Sequence, residues 1–260
     1  MKKPALATPS VQSLDRGLFI LEAVAKASGP VALGQLTELL GIDRSSVFRL
    51  ANTLKRRGFL TNPEGRKDYV LGSSIWRLSR KYDWSKMLIT CSHEHVRLLA
   101  SRTGETTHLA VREGKQTLFI DHQASNKQLI VVSGQTGEFA PLHCTAHGKA
   151  LLADCGAAEL RAIFGPSRLQ AYTPRTIVSI PELAKACAQI KEDGYAFDDA
   201  EFRDEIRCLA APVRDKDGVV VASIGISAPQ MRFPKERYPI AARQVSDVAK
   251  EVTARLCAES

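Results

Sequence analysis

No apolar run in this 260-residue sequence approaches the ~18 residues that a membrane-crossing helix needs, so no membrane span is indicated. The opening MKKPALATPS has two lysines and an apolar stretch broken by Pro4 and Pro9, too short and too interrupted for a secretory signal. Residues 1–10 read instead as a flexible tail. None of the six cysteines (Cys91, Cys144, Cys155, Cys187, Cys208 and Cys257) falls in a C-x-x-C pair, which removes zinc-ribbon and thioredoxin-like readings. Without an export signal, disulfides are not expected and the cytoplasm is the default compartment. Most of the thiols read as buried small hydrophobes. Also missing are G-x-G-x-x-G, the P-loop, G-x-S-x-G and H-E-x-x-H, so no cofactor is expected and no enzyme of those classes is indicated.

What is present is positive charge, unevenly spread. The chain carries a formal +8 and a hydrophobic fraction of 44%, ordinary for one or two globular domains. Residues 1–80 hold 13 Lys/Arg against 6 Asp/Glu, whereas residues 81–260 hold 23 against 22. A basic first part on a nearly neutral second part is the electrostatic footprint of a nucleic-acid partner.

The stretch GIDRSSVFRLANTLKRRGFL, Gly41 to Leu60, gives that charge a shape. Val47, Leu50, Ala51 and Leu54 recur at helical spacing, with Arg44, Ser45, Arg49, Asn52 and Arg56 elsewhere around the helix. Asp43 suits the N-cap, Lys55-Arg56-Arg57 suits the negative end of the helix dipole, and Gly58 stops the segment. A shorter apolar-patterned helix, Leu33 to Leu40, precedes it across Gly-Ile-Asp. Helix, short turn, helix with a polar outer face is the helix-turn-helix pattern, whose second helix enters the major groove.

Around this pair, Ser13 to Ala27 reads as a first helix, capped by Ser13 and burying Leu14, Leu18, Leu21 and Val24-Ala25. Phe59–Thr61 and Lys67–Leu71 flank an Asn62-Pro63-Glu64-Gly65 turn and read as a hairpin, the wing. Ser73 to about Arg102 reads as two linker helices breaking near Asp83, a candidate dimer interface. His93 and His95 on this stretch read as solvated.

From Glu105 the texture changes. Residues 106–111, 117–122, 129–132, 195–197, 207–214 and 219–226 read as strands. Helices are expected over 145–152, 157–164, 180–193 and 234–256, the last burying Ile240, Val245, Val248, Val252 and Leu256. Turns fall at Glu113-Gly114, 124–127 and Lys216-Asp217-Gly218. The fold class is therefore α+β, with an antiparallel sheet flanked by helices. The divisions are 1–10 tail, 11–72 winged helix-turn-helix domain, 73–103 linker helices and 104–260 second domain.

The segments VQSLDRGLFILEAV, GIDRSSVFRLANTLKRRGFL, PLHCTAHGKALLA and GYAFDDAEFRDEIRCLAAPVRD together resemble IclR-type transcriptional regulators. The last follows that family's spacing of Gly194, Asp198, Glu201, Cys208-Leu209-Ala210, Val213 and Asp215. Arg214 departs from it, standing where an aromatic or His is usual. The resemblance covers nearly the whole chain from Val11. It implies a winged helix-turn-helix, a linker helix and a GAF-like effector-binding domain in a homodimer or homotetramer, mostly acting as a repressor of a catabolic operon.

For the DNA face, Arg44, Ser45, Ser46 and Arg49 occupy the first turns of the recognition helix, where Arg suits guanine and Ser a base or phosphate. Arg16, Arg66 and Lys67 suit phosphate, which positions without specifying. For the effector pocket, the resemblance implies Asp198, Cys208 and Ser227 as lining, with the Ala146-His147 amides opening a helix. Helix-start N–H groups favour carboxylates, so a small organic acid is the expected effector. His147 stands where small residues are common and Gly225 where a Ser can occur, which suggests a larger or aromatic acid. His108, on the strand THLAV, is a further inward candidate.

Three alternatives stand beside this reading. His147, Asp198 and Cys208 could hold a zinc-type metal. The same three could form a Cys-His-Asp nucleophilic set. The helix-turn-helix could serve protein interaction, with the second domain binding a metabolite.

Overall fold

The computed structural model describes residues 11–64, 66–79, 83–124 and 134–259. The expected tail, Gly65 of the hairpin turn, the expected strand 129–132 and most of the turn 124–127 lie outside the described residues. The chain divides into a first unit ending at Asp83 and a second beginning at Trp84.

In the first unit, α1 (Gln12–Lys26), α2 (Leu33–Leu40) and α3 (Arg44–Arg56) are followed by β1 (Leu60–Thr61), β2 (Val70–Leu71) and α4 (Ser73–Ser79). Leu36, Val47, Ala51, Ile20, Val24, Leu60 and Tyr69 close one apolar cluster. Gly41, at φ +61°, ends α2 in the left-handed region that favours glycine, and Asp43 accepts the Ser46 N–H at 2.9 Å to start α3. The two-residue strands pair Leu60 with Leu71 and Thr61 with Val70. Asn62 donates to the Asp68 carbonyl at 2.7 Å and ties the hairpin tip.

α1 differs from expectation. It starts at Gln12, with no side-chain cap, so Ser13 lies inside the helix. Its buried residues are Gly17, Ile20 and Val24, while Leu14 and Leu18 are 62% and 51% exposed. The helix carries two apolar stripes at helical spacing, and packing against α3, β2 and α2, not periodicity, selects which one is buried.

In the second unit, α5 (Asp83–Thr103) precedes β3 (Thr106–Glu113), β4 (Gln116–Gln123) and β5 (Phe139–Pro141). Then come α6 (Ala146–Leu151), α7 (Ala157–Phe164), α8 (Ile180–Asp193), β6 (Ala196–Asp199), β7 (Ile206–Arg214), β8 (Val220–Pro229) and α9 (Tyr238–Glu259). The strands form one antiparallel sheet in the order β5-β4-β3-β8-β7-β6. The β7–β8 turn is held by Asp215, which accepts from the N–H of Asp217 and Val219.

Strand alternation gives the sheet two unlike faces. Leu109, Val111, Leu209, Ala211, Ile224 and Ile226 face one way. They are covered by Leu88, Cys91, Val96 and Leu99 of α5 and by Val245, Val248, Val252 and Leu256 of α9. Their sequence neighbours His108, Cys208, Ser223 and Ser227 are also buried, on the other side, where α6 lies. Ile240 is 66% exposed, so the expected α9 face holds from Val245 onward only. His95 is half-buried rather than solvated, with Nδ1 3.2 Å from the Cys91 carbonyl and Nε2 3.9 Å from Glu251. His93 meets Asp121 at 2.9 Å.

Candidate functional site

Two regions concentrate polar chemistry. On the first unit, α3 turns Val47 and Ala51 inward and leaves Arg44, Ser45, Phe48, Arg49 and Asn52 exposed. Ser45 donates to Asp43 at 2.6 Å, and Ser46, half-buried, supplies the capping N–H. These hydrogen bonds hold the Asp43 carboxyl well below the usual carboxylate range. A charged cap at this end also complements the helix dipole. Arg66 and Lys67 are exposed beside the hairpin tip, and Arg16 is half-buried on α1. Phe48 was not expected here. An exposed aromatic among arginines on the outer face can meet a thymine methyl.

The second region is a cavity of ≈ 80 Å³ between α6 and the polar face of the sheet. Ala146, His147, Asp198, Cys208 and Ser227 line it, together with Phe119, Glu138, Thr145, Phe202 and Arg203. Thr145 caps α6 by accepting the Gly148 N–H at 3.1 Å. Gly148 is required there, because a Cβ would lie 2.1 Å from the Leu142 carbonyl oxygen. Asp198 is 3% exposed and accepts the Glu201 N–H at 2.7 Å. Burial pushes its carboxyl up to about 7, with the nearby Glu201 charge adding to the rise, against the lowering by that hydrogen bond. Cys208 donates to the Ser227 hydroxyl at 3.2 Å, and burial followed by the neighbouring Asp198 raises its thiol.

The wall carrying Asp198, Phe202 and Arg203 is fixed from beneath. Lys149 of α6 is 3% exposed, pairs with Glu201 and donates to the Phe197 carbonyl at 2.5 Å. Thr173 and Thr176 donate to the Ala200 and Glu201 carbonyls at 2.8 and 2.6 Å. Between them Ala200 sits at φ +61°, the single non-glycine residue in that region among the described residues.

Residues 83–254 match the family model "Bacterial transcriptional regulator IclR C-terminal", and residues 13–64 match "IclR helix-turn-helix domain". The chain belongs to the IclR family of bacterial transcriptional regulators. It is 33% identical over 258 residues to the transcriptional repressor IclR of Escherichia coli K12, covering 97% of this chain and 94% of that one. The crystal structure of Thermotoga maritima IclR superposes with a TM-score of 0.75 at 26% identity, over 94% of this chain and 98% of that chain. An IclR homolog from Microbacterium hydrocarbonoxydans, complexed with 4-hydroxybenzoate, gives a TM-score of 0.80 at 20% identity, over 94% and 98%.

Within this IclR-family fold several expectations change. His108 does not line the cavity; it lies behind it, in ring contact with Phe119 and His147 at 5.1 and 5.8 Å between centroids. The metal alternative does not assemble, since no group of three His, Cys, Asp or Glu among the described residues could hold an ion. Each member of the set is turned to another partner: His147 to Ser223, Asp198 to the Glu201 N–H, Cys208 to Ser227. With His147 Nδ1 on Ser223 and the Cys208 thiol on Ser227, the two share no hydrogen bond among the described residues, and a raised thiol is a poor nucleophile. Gly225 is not a lining residue; a Cβ there would lie 2.2 Å from the Leu209 carbonyl oxygen, so backbone packing accounts for it. Glu201, part of the family spacing, belongs to a buried ion pair with Lys149. Arg214 binds both carboxylate oxygens of Asp154, at 2.5 and 3.2 Å, away from the cavity. Lys149, Phe119 and Arg203 escaped the sequence reading. The unusual signal available is a lysine inside a short helix of which every residue is buried.

Proposed function

We propose that this protein represses its target genes by binding a DNA operator through α3 and is controlled by a small carboxylate bound in the α6 cavity. One observation carries the reading: a single chain joins an exposed basic recognition helix to a mostly apolar cavity with a few polar groups in its lining, in a family of regulators. Residues 11–72 act as the reader, 73–103 as the connection and 104–260 as the GAF-like sensor. Arg44, Ser45, Ser46 and Arg49 meet bases, while Arg16, Arg66 and Lys67 meet phosphates. Phe48 adds an apolar contact.

In the cavity, Asp198, Cys208, Ser227 and the first-turn amides of α6 at Ala146 and His147 contact the effector. Helix-start amides have no partner within the helix and favour anions. Arg203, exposed at the rim and 5.3 Å from the Phe202 ring, supplies a cation for the carboxylate. The 4-hydroxybenzoate carried by the Microbacterium homolog supports an acid in this class. No catalytic role is assigned. Helix-turn-helix readers usually bind two half-sites as symmetric pairs, which favours a homodimer or homotetramer. Effector changes operator affinity by binding two conformations unequally.

The test is a fluorescence-anisotropy titration of the full chain on its own upstream intergenic DNA and on a scrambled duplex, at about 150 mM salt. A preference of ~10³-fold or more is expected for a specific regulator. Equal, weak binding to both would overturn the reading. Organic acids added to the specific complex then shift its affinity.

A further inference from the structure

The cavity beside α6 is acidic before any ligand enters it. Asp198 and Glu138 both line it, whereas Arg203, the one cationic side chain among its described lining residues, is exposed at the rim. Glu138 is itself exposed, and its carboxylate accepts the N–H groups of Gly134 and Gln135 at 2.8 and 3.1 Å. Asp198 is the deep acid, 3% exposed on the edge strand β6, paired in register with Cys208 of β7. Its Oδ1 accepts the Glu201 N–H at 2.7 Å, and the Phe202 N–H also reaches its carboxyl.

The groups around Asp198 do not supply it with a counter-charge. Lys149, the buried cation of α6, is committed to Glu201 and to the Phe197 carbonyl. Glu201, in the β6–β7 loop, adds charge of the same sign. Cys208 and, ahead of α6, Cys144 are thiols that burial keeps protonated. His147 of α6 is held neutral, lowered by burial to about 3. An acid effector in the same ≈ 80 Å³ cavity adds a further carboxylate against this wall. Two carboxylates in contact do not both stay ionised; they share one proton. Burial has already pushed Asp198 up to about 7, so that proton is within easy reach at physiological pH.

We propose that the cavity takes up its effector anion together with one proton, held between the Asp198 carboxyl and the effector carboxylate, so that the protein responds to the product of anion and proton concentrations. This rests on the reading of the α6 cavity as an acid-effector site. A buried acid then serves an acid sensor: protonated, it donates a hydrogen bond to the incoming carboxylate, and ionised, it repels it. Below about pH 7 the proton is in place before binding, and above it each anion bound must bring one in from solvent. Arg203 draws the anion to the rim at any pH in this range, because a guanidinium does not titrate there.

The experiment is calorimetric titration of the full-length protein with acetate, lactate, benzoate and 4-hydroxybenzoate between about pH 6 and pH 9. At about pH 8 it is repeated in HEPES and in Tris, whose different ionisation heats reveal proton uptake. For an acid that binds, affinity is level below about pH 7 and falls by up to about tenfold per pH unit above it, with close to one proton taken up per acid at about pH 8. In Asp198→Asn, whose amide offers an N–H in place of the carboxyl O–H, affinity becomes independent of pH and proton uptake falls to near zero. Because a buried substitution can unfold the domain, the side-chain carboxyl ¹³C resonance of Asp198 in the wild type provides a second readout. At about pH 8 it moves to the protonated position when the acid is added. A wild type whose affinity ignores pH and which takes up no proton overturns this inference and leaves the acid-sensor reading standing. So does proton uptake that persists in a folded Asp198→Asn, or an Asp198 resonance that stays at the ionised position in the complex. Failure of all four acids to bind overturns both.

Discussion

The two units place their polar chemistry on opposite sides of their surfaces. α3 exposes Arg44, Ser45, Arg49 and Asn52 to solvent and buries only apolar side chains. The second unit buries His108, His147, Lys149, Asp198 and Glu201, each within a tenth of full enclosure. A nucleic acid is larger than the protein surface that reads it, so its reader must face outward. A small ligand must be surrounded, so its reader faces inward and shifts the ionisation of its own groups. Substitutions in the first unit should therefore alter binding without altering stability, and substitutions in the second should do both.

The largest expected effect is at Lys149. Lys149→Met leaves Glu201 buried without its partner, an arrangement that typically destabilises by about 3–5 kcal/mol. Urea denaturation of the full chain should show that loss in the second unit's transition, with partial recovery in Lys149→Met/Glu201→Gln. A loss below about 1 kcal/mol would mean the pair is not the anchor described.

Next comes Asp198, whose folded carboxyl titrates near 7 because it is buried. A raised carboxyl means that the folded state holds a proton the unfolded state has lost. Its stabilising contribution is complete below about pH 4 and fades up to about pH 7. Relative to Asp198→Asn, the wild type should lose roughly 1.4 kcal/mol per pH unit across that window and nothing further above it. His108 and His147, lowered by burial, act with the opposite sign on the acid side, so the difference between the two proteins is the informative quantity. A pH-independent difference would contradict the assignment.

Arg49→Ala should weaken binding to the specific operator by about 1–3 kcal/mol and leave the melting temperature nearly unchanged. A matching fall in stability would erase the contrast between the units. The smallest effect is expected at the hairpin. Arg66→Ala should weaken all duplexes alike and reduce the slope of log affinity against log salt by about one.

The contrast also explains what could be read in advance. The α2, α7 and α8 ranges follow from apolar spacing and turn residues, and Asp43 follows from its position before α3. Outward-facing positions on a short helix need only the helix to be identified. The face of α1 is not legible in its own residues because Leu14-Leu18 and Ile20-Val24 are equally good stripes, and packing against α3, β2 and α2 decides between them. β5 was missed because three residues carry no period. The cavity joins positions 119, 147, 203 and 227, and no local pattern brings these together. The motif resemblance supplied Asp198, Cys208, Ser227 and His147 but not Lys149, Arg203 or Phe119, whose roles depend on which neighbours the fold provides.

The strand order β5-β4-β3-β8-β7-β6 sets a timetable for synthesis. β3 ends at Glu113, but its neighbour β8 begins only at Val220, so the sheet's centre cannot close until nine-tenths of the chain has left the ribosome. The first unit is complete at Asp83, on the order of ten seconds earlier at ordinary elongation rates. For that interval the nascent protein has a finished first unit and no cavity beside α6, and the central strands of the second unit's sheet must wait for their partner.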